Sequence, residues 1–210
     1  MTRRLHILIL LALALVAYVG TAGWPALMDD ADGGHAIAAR EIVESGDWAV
    51  LHINGIRWLE KAPLHYWLVA VSYKLLGHST FSTRLPLALS VAGLVLMVYV
   101  FGRRFWGERA GFYAGLAMCT GIGTYIFTRE MIPEAIYALE FTAAFYLFLR
   151  AWQGTLPARP AFWGCAARSA LAVLTRSLIG VIFPVAVITL FILATRGMCE
   201  GRPRWRELPF

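Results

Sequence analysis

Hydrophobic residues in this chain are gathered into long blocks, which short basic or polar segments separate. A helix rises ~1.5 Å per residue, so about 20 apolar residues cross the ~30 Å of hydrocarbon in a bilayer. Blocks near that length predict transmembrane helices at residues 5–24, 85–101, 110–127 and 132–149. The pattern predicts an all-α integral membrane protein, a polytopic helical bundle in which residues 1–210 form a single transmembrane module.

The first block also has the pattern of a cleaved signal peptide, with Arg3 and Arg4 before an apolar run and small residues after it. Because apolar residues continue to Leu27 and further blocks follow, we interpret residues 5–24 as a retained first span.

Residues 161–194 allow two interpretations, one long span or a hairpin of two short spans that turns near Arg176 and Ser177. Arginines lie before this segment or in its first part, at positions 150, 159 and 168, and after it, at positions 196, 202, 204 and 206. If both groups are cytoplasmic, the number of crossings between them is even. This favours the hairpin, about six spans in total, and a cytoplasmic basic loop at 195–210.

Residues 28–80 form a polar region that differs from the apolar blocks. Two amphipathic segments, Gly34–Ser45 and Pro63–Leu76, have the residue types of helices but are too short to span a bilayer. We therefore predict two interfacial amphipathic helices within the first outer loop.

Charge and composition agree with a membrane location. Hydrophobic residues make up 59% of the chain and charged residues 15%, against about 45–50% and about 25% in soluble domains. The net charge of +6 does not indicate nucleic-acid binding, because the arginines lie at the ends of apolar blocks. The positive-inside rule predicts a plasma (inner) membrane protein with a cytoplasmic N-terminus, and it places 28–80 and 128–130 together on the outer side.

Three carboxylates, Asp29, Asp30 and Asp32, follow the first block directly. Carboxylates this close repel one another, and a cation, a basic substrate group or a raised pKa at one of them relieves the repulsion. The cluster is therefore either a functional site or an ordinary solvated acidic loop.

Four further charged residues lie at the predicted outer surface. Lys61 is either a phosphate partner or a lysine that snorkels, and Glu60 beside it either binds a metal or holds the lysine. Glu134 lies near the start of a span, and Arg176 marks the turn of the predicted hairpin, where it could bind a lipid phosphate.

Three other residues have open roles. Glu140 lies deeper in the fourth block, where it faces a polar cavity, pairs with a neighbouring helix or is protonated. His35 and His65 are either metal ligands beside the carboxylates or ordinary packed side chains.

Several motifs occur in order along residues 24–195: the acidic cluster, AREIVESGDW, NGIRW, LEKAPLHYW, TRLP, GIGTY, TREMIPE and LTRSLIGVIFP. Together they resemble bacterial glycosyltransferases of the dolichyl-phosphate-mannose protein mannosyltransferase type, the GT-C family that includes the lipid A aminoarabinose transferases.

The resemblance implies a multi-spanning enzyme that inverts the sugar carbon with help from a divalent metal cation. The implied donor is a sugar on a polyprenyl phosphate, and the acceptor is a lipid, protein or glycan at the periplasmic face. The implied catalytic carboxylate is Asp30 or Asp32, with Asp30 preferred. Lys61 and Arg176 would bind the lipid phosphate and Glu60 and Glu134 the metal, while the supporting residues would be Asp29, His35, Arg40 and Arg129.

This chain departs from the family pattern at two places. Relatives often have Lys-Gly where Arg176-Ser177 stands and Pro-Pro where Ala62-Pro63 stands. Relatives are also longer, so we expect an N-terminal portion. Two alternatives are a non-catalytic truncated membrane subunit and an ion or solute transport component.

Overall fold

The computed structural model describes residues 3–27 and 30–196, with the backbone alone for residues 30, 31 and 196. Within these ranges the chain is helical apart from one small two-stranded ladder. In chain order the elements are α1 (Arg3–Ala14), a π-helical segment (Leu15–Val19), α2 (Asp30–Ser45), β1 (His52–Ile53), β2 (Ile56–Arg57), α3 (Leu64–Leu76), α4 (Thr80–Trp106), α5 (Glu108–Thr120), α6 (Ile122–Ile126), α7 (Glu134–Trp152), α8 (Ala158–Arg176) and α9 (Ile179–Arg196).

The long helix α4 lies at the centre of the bundle and packs against α1, α3, α5 and α7. It begins at a capping box, in which the Ser79 hydroxyl accepts from the Ser82 N–H and the Ser82 hydroxyl accepts from the Ser79 N–H. This cap starts the helix several residues before the predicted span at 85–101. Arg103 and Arg104 in the last turn suit the negative end of the helix dipole.

Glycines let α4 and α5 approach closely. A Cβ atom on Gly102 would lie 2.9 Å from the Gly111 Cα, and a Cβ on Gly111 would lie 2.4 Å from the Arg103 nitrogen. Neither position has room for a side chain, so the two backbones are in contact, as is typical of membrane helices. The predicted span at 110–127 is interrupted at Gly121, which is extended between α5 and α6.

Helices α2 and α3 pack together in the predicted outer loop around a separate cluster of apolar side chains, formed by Ala38, Ile42, Leu51, Tyr66 and Ala70. The sequence analysis predicted no strand here, whereas the structure has the β1–β2 hairpin. Its turn residues Asn54 and Gly55 have φ of 53° and 75°. An Asn-Gly pair with two positive φ values is the preferred two-residue hairpin turn.

The segment at 161–194 consists of two helices, α8 and α9, separated by Ser177 and Leu178. Among the described residues, α4 alone is long and apolar enough to cross a bilayer, judged by length and composition; Ile179–Thr195 is a shorter apolar stretch. Large apolar side chains on α9, such as Ile182 and Leu190, are exposed. Residues 197–210, which include most of the predicted basic loop, lie outside the described residues.

Candidate functional site

The segment between β2 and α3 carries Glu60 and Lys61 on an exposed surface. The Lys61 Nζ lies 2.8 Å from the Glu60 Oε1, and 43% of the lysine side chain is exposed. The lysine holds the pKa of Glu60 below its usual value. Solvent screens this exposed ion pair, so the pair contributes little to the stability of the protein. Lys61 can therefore leave Glu60 and bind another anion with little loss of free energy.

A second ion pair joins Arg176, the last residue of α8, to Glu134, the first residue of α7. Both positions suit the helix dipoles, since a carboxylate is favoured at a helix N-terminus and a cation at a C-terminus. The second carboxylate oxygen of Glu134 is buried without a hydrogen-bond partner among the described residues. The fold therefore presents a guanidinium next to a carboxylate with spare acceptor capacity.

Both ion pairs line one cavity of about 250 Å³. Its wall combines parts of α2 and α3 with the start of α7 and the end of α8. Lys61, Arg176, Glu60, Glu134 and His35, all identified in the sequence, thus meet although the chain separates some of them by more than a hundred residues.

The buried part of this cavity wall carries uncharged polar groups. His35 Nδ1 and the Tyr66 hydroxyl share a hydrogen bond of 2.6 Å, and the His65 ring is fully buried beside them. Burial lowers the pKa of His35, and the nearby Lys61 lowers it further. Burial also raises the pKa of Tyr66. All three side chains are therefore neutral at physiological pH.

Asp32 has a different environment from the cavity residues. It is 6% exposed, accepts from the Met131 N–H at 2.6 Å, and its other oxygen lies 3.4 Å from the Nη2 of Arg84. Arg84 is itself 1% exposed and also donates to the carbonyls of Pro25, Ala26 and Arg129. The Asp32 carboxylate therefore ties α2 to α4 and to the loop that precedes α7.

Of four other predicted site residues, two lie away from the cavity wall, and the side chains of the other two are outside the part of the chain that the structure describes. Arg40 is exposed and pairs with Glu44 at 2.5 Å. The Arg129 guanidinium lies 4.3 Å from the centre of the Tyr125 ring. Asp29 lies outside the described residues, and Asp30 begins α2 with its side chain undescribed. The structure therefore does not bring Arg40 or Arg129 into the cavity wall.

Glu140 pairs with a neighbouring helix, one of the three options that the sequence left open. Its two oxygens lie 2.8 and 3.1 Å from Nη1 of Arg168 on α8, and 7% of the residue is exposed. This pair links α7 to α8 within the bundle.

The described residues do not form a metal-binding set. They include no group of three or more His, Cys, Asp and Glu side chains arranged to hold an ion. The two carboxylates predicted as metal ligands, Glu60 and Glu134, each lie beside a cationic side chain. These donors alone therefore do not fit a divalent metal.

Sequence reasoning missed the roles of Arg84, Tyr66 and Thr175. Arg84 lies in the TRLP motif at the start of an apolar block, and this position alone does not reveal its buried partners. Tyr66 and Thr175 line the cavity beside His65 and Arg176, and their sequence positions distinguish neither of them from ordinary helix residues.

Taken together, the fold and the site define a helical bundle whose cavity carries two cations at its exposed part. A family model described as "Dolichyl-phosphate-mannose-protein mannosyltransferase" matches residues 60–203. The chain belongs to this family.

The sequence of the chain is also similar to those of individual glycosyltransferases. The chain is 30% identical over 182 residues to undecaprenyl phosphate-alpha-4-amino-4-deoxy-L-arabinose arabinosyl transferase 2 of Sodalis glossinidius, covering 83% of this chain and 31% of that protein. It is 32% identical over 178 residues to the corresponding transferase of Aeromonas salmonicida, covering 79% and 31%. The chain thus spans about a third of the length of the curated relatives it matches.

The crystal structure of ArnT from Cupriavidus metallidurans bound to undecaprenyl phosphate is similar, with a TM-score of 0.83 and 26% identity over 93% of this chain and 37% of that one. The apo structure of the same protein gives a TM-score of 0.82 with 27% identity, over 90% and 36%. The helical bundle of this chain therefore corresponds to part of a larger membrane protein fold.

Proposed function

We propose that this chain is the part of a membrane glycosyltransferase that holds a polyprenyl-phosphate-linked sugar donor. The observation that carries the proposal is the cavity in which Lys61 and Arg176 converge. Both cations are partly exposed and both are paired with exchangeable carboxylates. A phosphate offers these cations charge-assisted hydrogen bonds that are stronger than neutral ones. Relatives named as undecaprenyl-phosphate arabinosyl transferases support the same donor class.

In the proposed reaction, Asp30 takes the proton from an acceptor hydroxyl group. The acceptor oxygen then bonds to the sugar carbon, while the bond from that carbon to the phosphate oxygen breaks with inversion. The electron pair leaves with the polyprenyl phosphate, whose developing charge Lys61 and Arg176 stabilise. The acceptor is a lipid, protein or glycan.

Asp32 is less suited than Asp30 to act as the base, because both its oxygens already contact partners in a buried setting. A divalent cation, which the family resemblance implies, would need donors beyond Glu60 and Glu134, such as Asp29 and Asp30. Its chemistry would be Lewis-acid stabilisation of the phosphate, and measuring transfer before and after chelation tests it.

The proposed location is the inner membrane, with a cytoplasmic N-terminus, about six spans and the cavity at the periplasmic face. Helices α2 and α3 would lie in the interface and hold the polyprenyl chain at headgroup depth. The transport alternative finds little support, because Glu134 and Glu140, which would line its ion path, are each paired with an arginine.

Sugar transfer from radiolabelled polyprenyl-phosphate donors to membrane extracts tests the proposal. We expect transfer to be lost in Lys61→Met and Asp30→Asn, while the exposed Arg57→Gln, a charge change at β2 outside the cavity wall, retains it. Because this chain spans a third of its relatives, the assay uses the longest reading frame that contains it. No transfer from a broad donor panel, with insertion into the membrane confirmed, would overturn the proposal.

A further inference from the structure

His65 is a side chain of the cavity wall whose two ring nitrogens are unsatisfied within the part of the chain that the structure describes. Its ring is fully buried, and neither ring nitrogen makes a hydrogen bond of good geometry with a described residue, although the Met131 backbone lies close enough to favour the protonated ring. Buried polar groups are nearly always hydrogen-bonded in native proteins, so each exception calls for an explanation. Because the ring lines a cavity, a bound ligand can supply the missing bonds.

The chemistry of the His65 ring narrows what that ligand group can be. Burial lowers the pKa of His65 to about 3, and the neighbouring His35 lowers it too, against the opposing effect of the Met131 backbone. A neutral imidazole offers one N–H donor and one acceptor nitrogen. A hydroxyl group, which both donates and accepts, matches this pair, whereas a phosphate needs donors alone.

The cavity divides into two parts of different chemistry. Its exposed part carries the charged side chains of Lys61 and Arg176, which are 43% and 42% exposed. Its buried part carries the neutral side chains of His65, Tyr66 and Thr175, each at most 2% exposed. A sugar phosphate has the same division, with an anionic group at one end and neutral hydroxyl groups at the other.

The size of the cavity agrees with one small ring. Its volume of about 250 Å³ lies just below the ~300–1,000 Å³ of typical small-molecule sites. This space suits one monosaccharide ring.

We propose that His65 hydrogen-bonds a hydroxyl group of a single sugar ring in the donor and so makes the cavity select a sugar-bearing lipid over the bare lipid phosphate. This inference rests on the proposed function and adds a specificity-determining residue to it. His65 has no part in proton transfer.

Binding of two lipids to the purified protein tests the inference. Native mass spectrometry measures the affinity for undecaprenyl phosphate and for a sugar-linked undecaprenyl phosphate, on protein isolated as a single folded species. We expect His65→Leu to weaken binding of the sugar-linked lipid about tenfold, the value of one lost hydrogen bond, and to leave binding of the bare lipid phosphate unchanged. His65→Phe, which keeps a ring in the site, is measured in parallel in case the leucine variant does not fold.

Two further variants separate the possible outcomes. His65→Gln retains one donor and one acceptor and should recover most of the preference, and exposed His78→Leu should leave both affinities at the wild-type values. Equal losses for both lipids, or no loss for either, would overturn the role of His65 while leaving the proposed function intact. Failure of the wild-type protein to bind either lipid would overturn the proposed function and this inference with it.

Discussion

The buried ion pair between Asp32 and Arg84 allows us to predict how much the free energy of unfolding changes when the carboxylate is removed. Replacing Asp32 with alanine removes the carboxylate that contacts the Arg84 guanidinium among the described residues, and 1% of that arginine side chain is exposed. It also removes the acceptor of the buried Met131 N–H. Arg84 would keep its three backbone carbonyl partners, so its hydrogen bonds would be only partly lost.

The magnitude follows from these contacts. Breaking a buried ion pair costs about 3–5 kcal/mol, and an unsatisfied buried N–H costs about 1–3 kcal/mol. The Arg84 Nη2–Asp32 Oδ2 distance of 3.4 Å is long, and the carbonyls offset part of the charge. We therefore expect Asp32→Ala to lower the free energy of unfolding by about 3–5 kcal/mol in total. Asp32→Asn keeps an acceptor for Met131 and should cost less.

Thermal unfolding of the purified protein in detergent measures this effect. The matched control is Glu44→Gln, which changes an exposed carboxylate on the same helix and should leave the melting temperature near that of the wild type. Adding Arg84→Met to Asp32→Ala should recover part of the loss, because no unpaired buried charge remains. A wild-type melting temperature for Asp32→Ala would refute the reasoning. A folded Asp32→Asn variant without transfer activity would identify Asp32 as the base instead of Asp30.

Three further predictions concern other parts of the molecule. The pKa of His65 is lowered to about 3 in the folded protein, so the unfolded chain binds its proton first as the pH falls below ~6.5. The His65 ring should therefore contribute a loss of roughly 2 kcal/mol in stability between pH 7 and pH 5. The total loss should be smaller by that amount in His65→Leu, which keeps the contribution of His35 in the same direction, when unfolding is measured at both pH values. Glu140→Ala leaves the Arg168 guanidinium without its carboxylate and should lower the melting temperature, and exchanging the two residues should restore it; no difference between the single and the exchanged variant would contradict the pairing. Gly111→Ala should impair folding measured by size-exclusion chromatography, because its Cβ would overlap the α4 backbone, whereas Gly123→Ala has open space and should behave as the wild type.

The meeting of Lys61, Glu134 and Arg176 was predictable from the sequence to a considerable extent. Span counting and arginine positions predict all three on one side of the membrane, and the ordered motifs suggest that they belong to one site. Their pairing was not predictable, since the sequence suggested metal binding for Glu134 and the structure pairs it with Arg176. A charged side chain can form an ion pair with any residue of opposite charge that the fold brings near. The hydropathy pattern of the sequence does not predict which residue that is.

The Arg84 contacts show where the sequence becomes uninformative. Their partners are between 45 and 59 residues away along the chain, and three of the four are backbone carbonyls, which every residue has. Helix positions were easier to predict because apolar blocks and capping residues are local signals. The hairpin at Asn54-Gly55 was also locally encoded, but its strands of two residues are too short for an alternating pattern.

The most direct test of the central claim is whether the cavity recognises a phosphate on a polyprenyl chain. Affinities for undecaprenyl phosphate and for uncharged undecaprenol, measured by native mass spectrometry, compare two lipids that differ in that group alone. We predict that the wild-type protein prefers the phosphate by at least about tenfold, as charge-assisted hydrogen bonds to two cations require. The preference should disappear in the Lys61→Met, Arg176→Met double variant. Equal affinity of the wild-type protein for the two lipids would contradict the account.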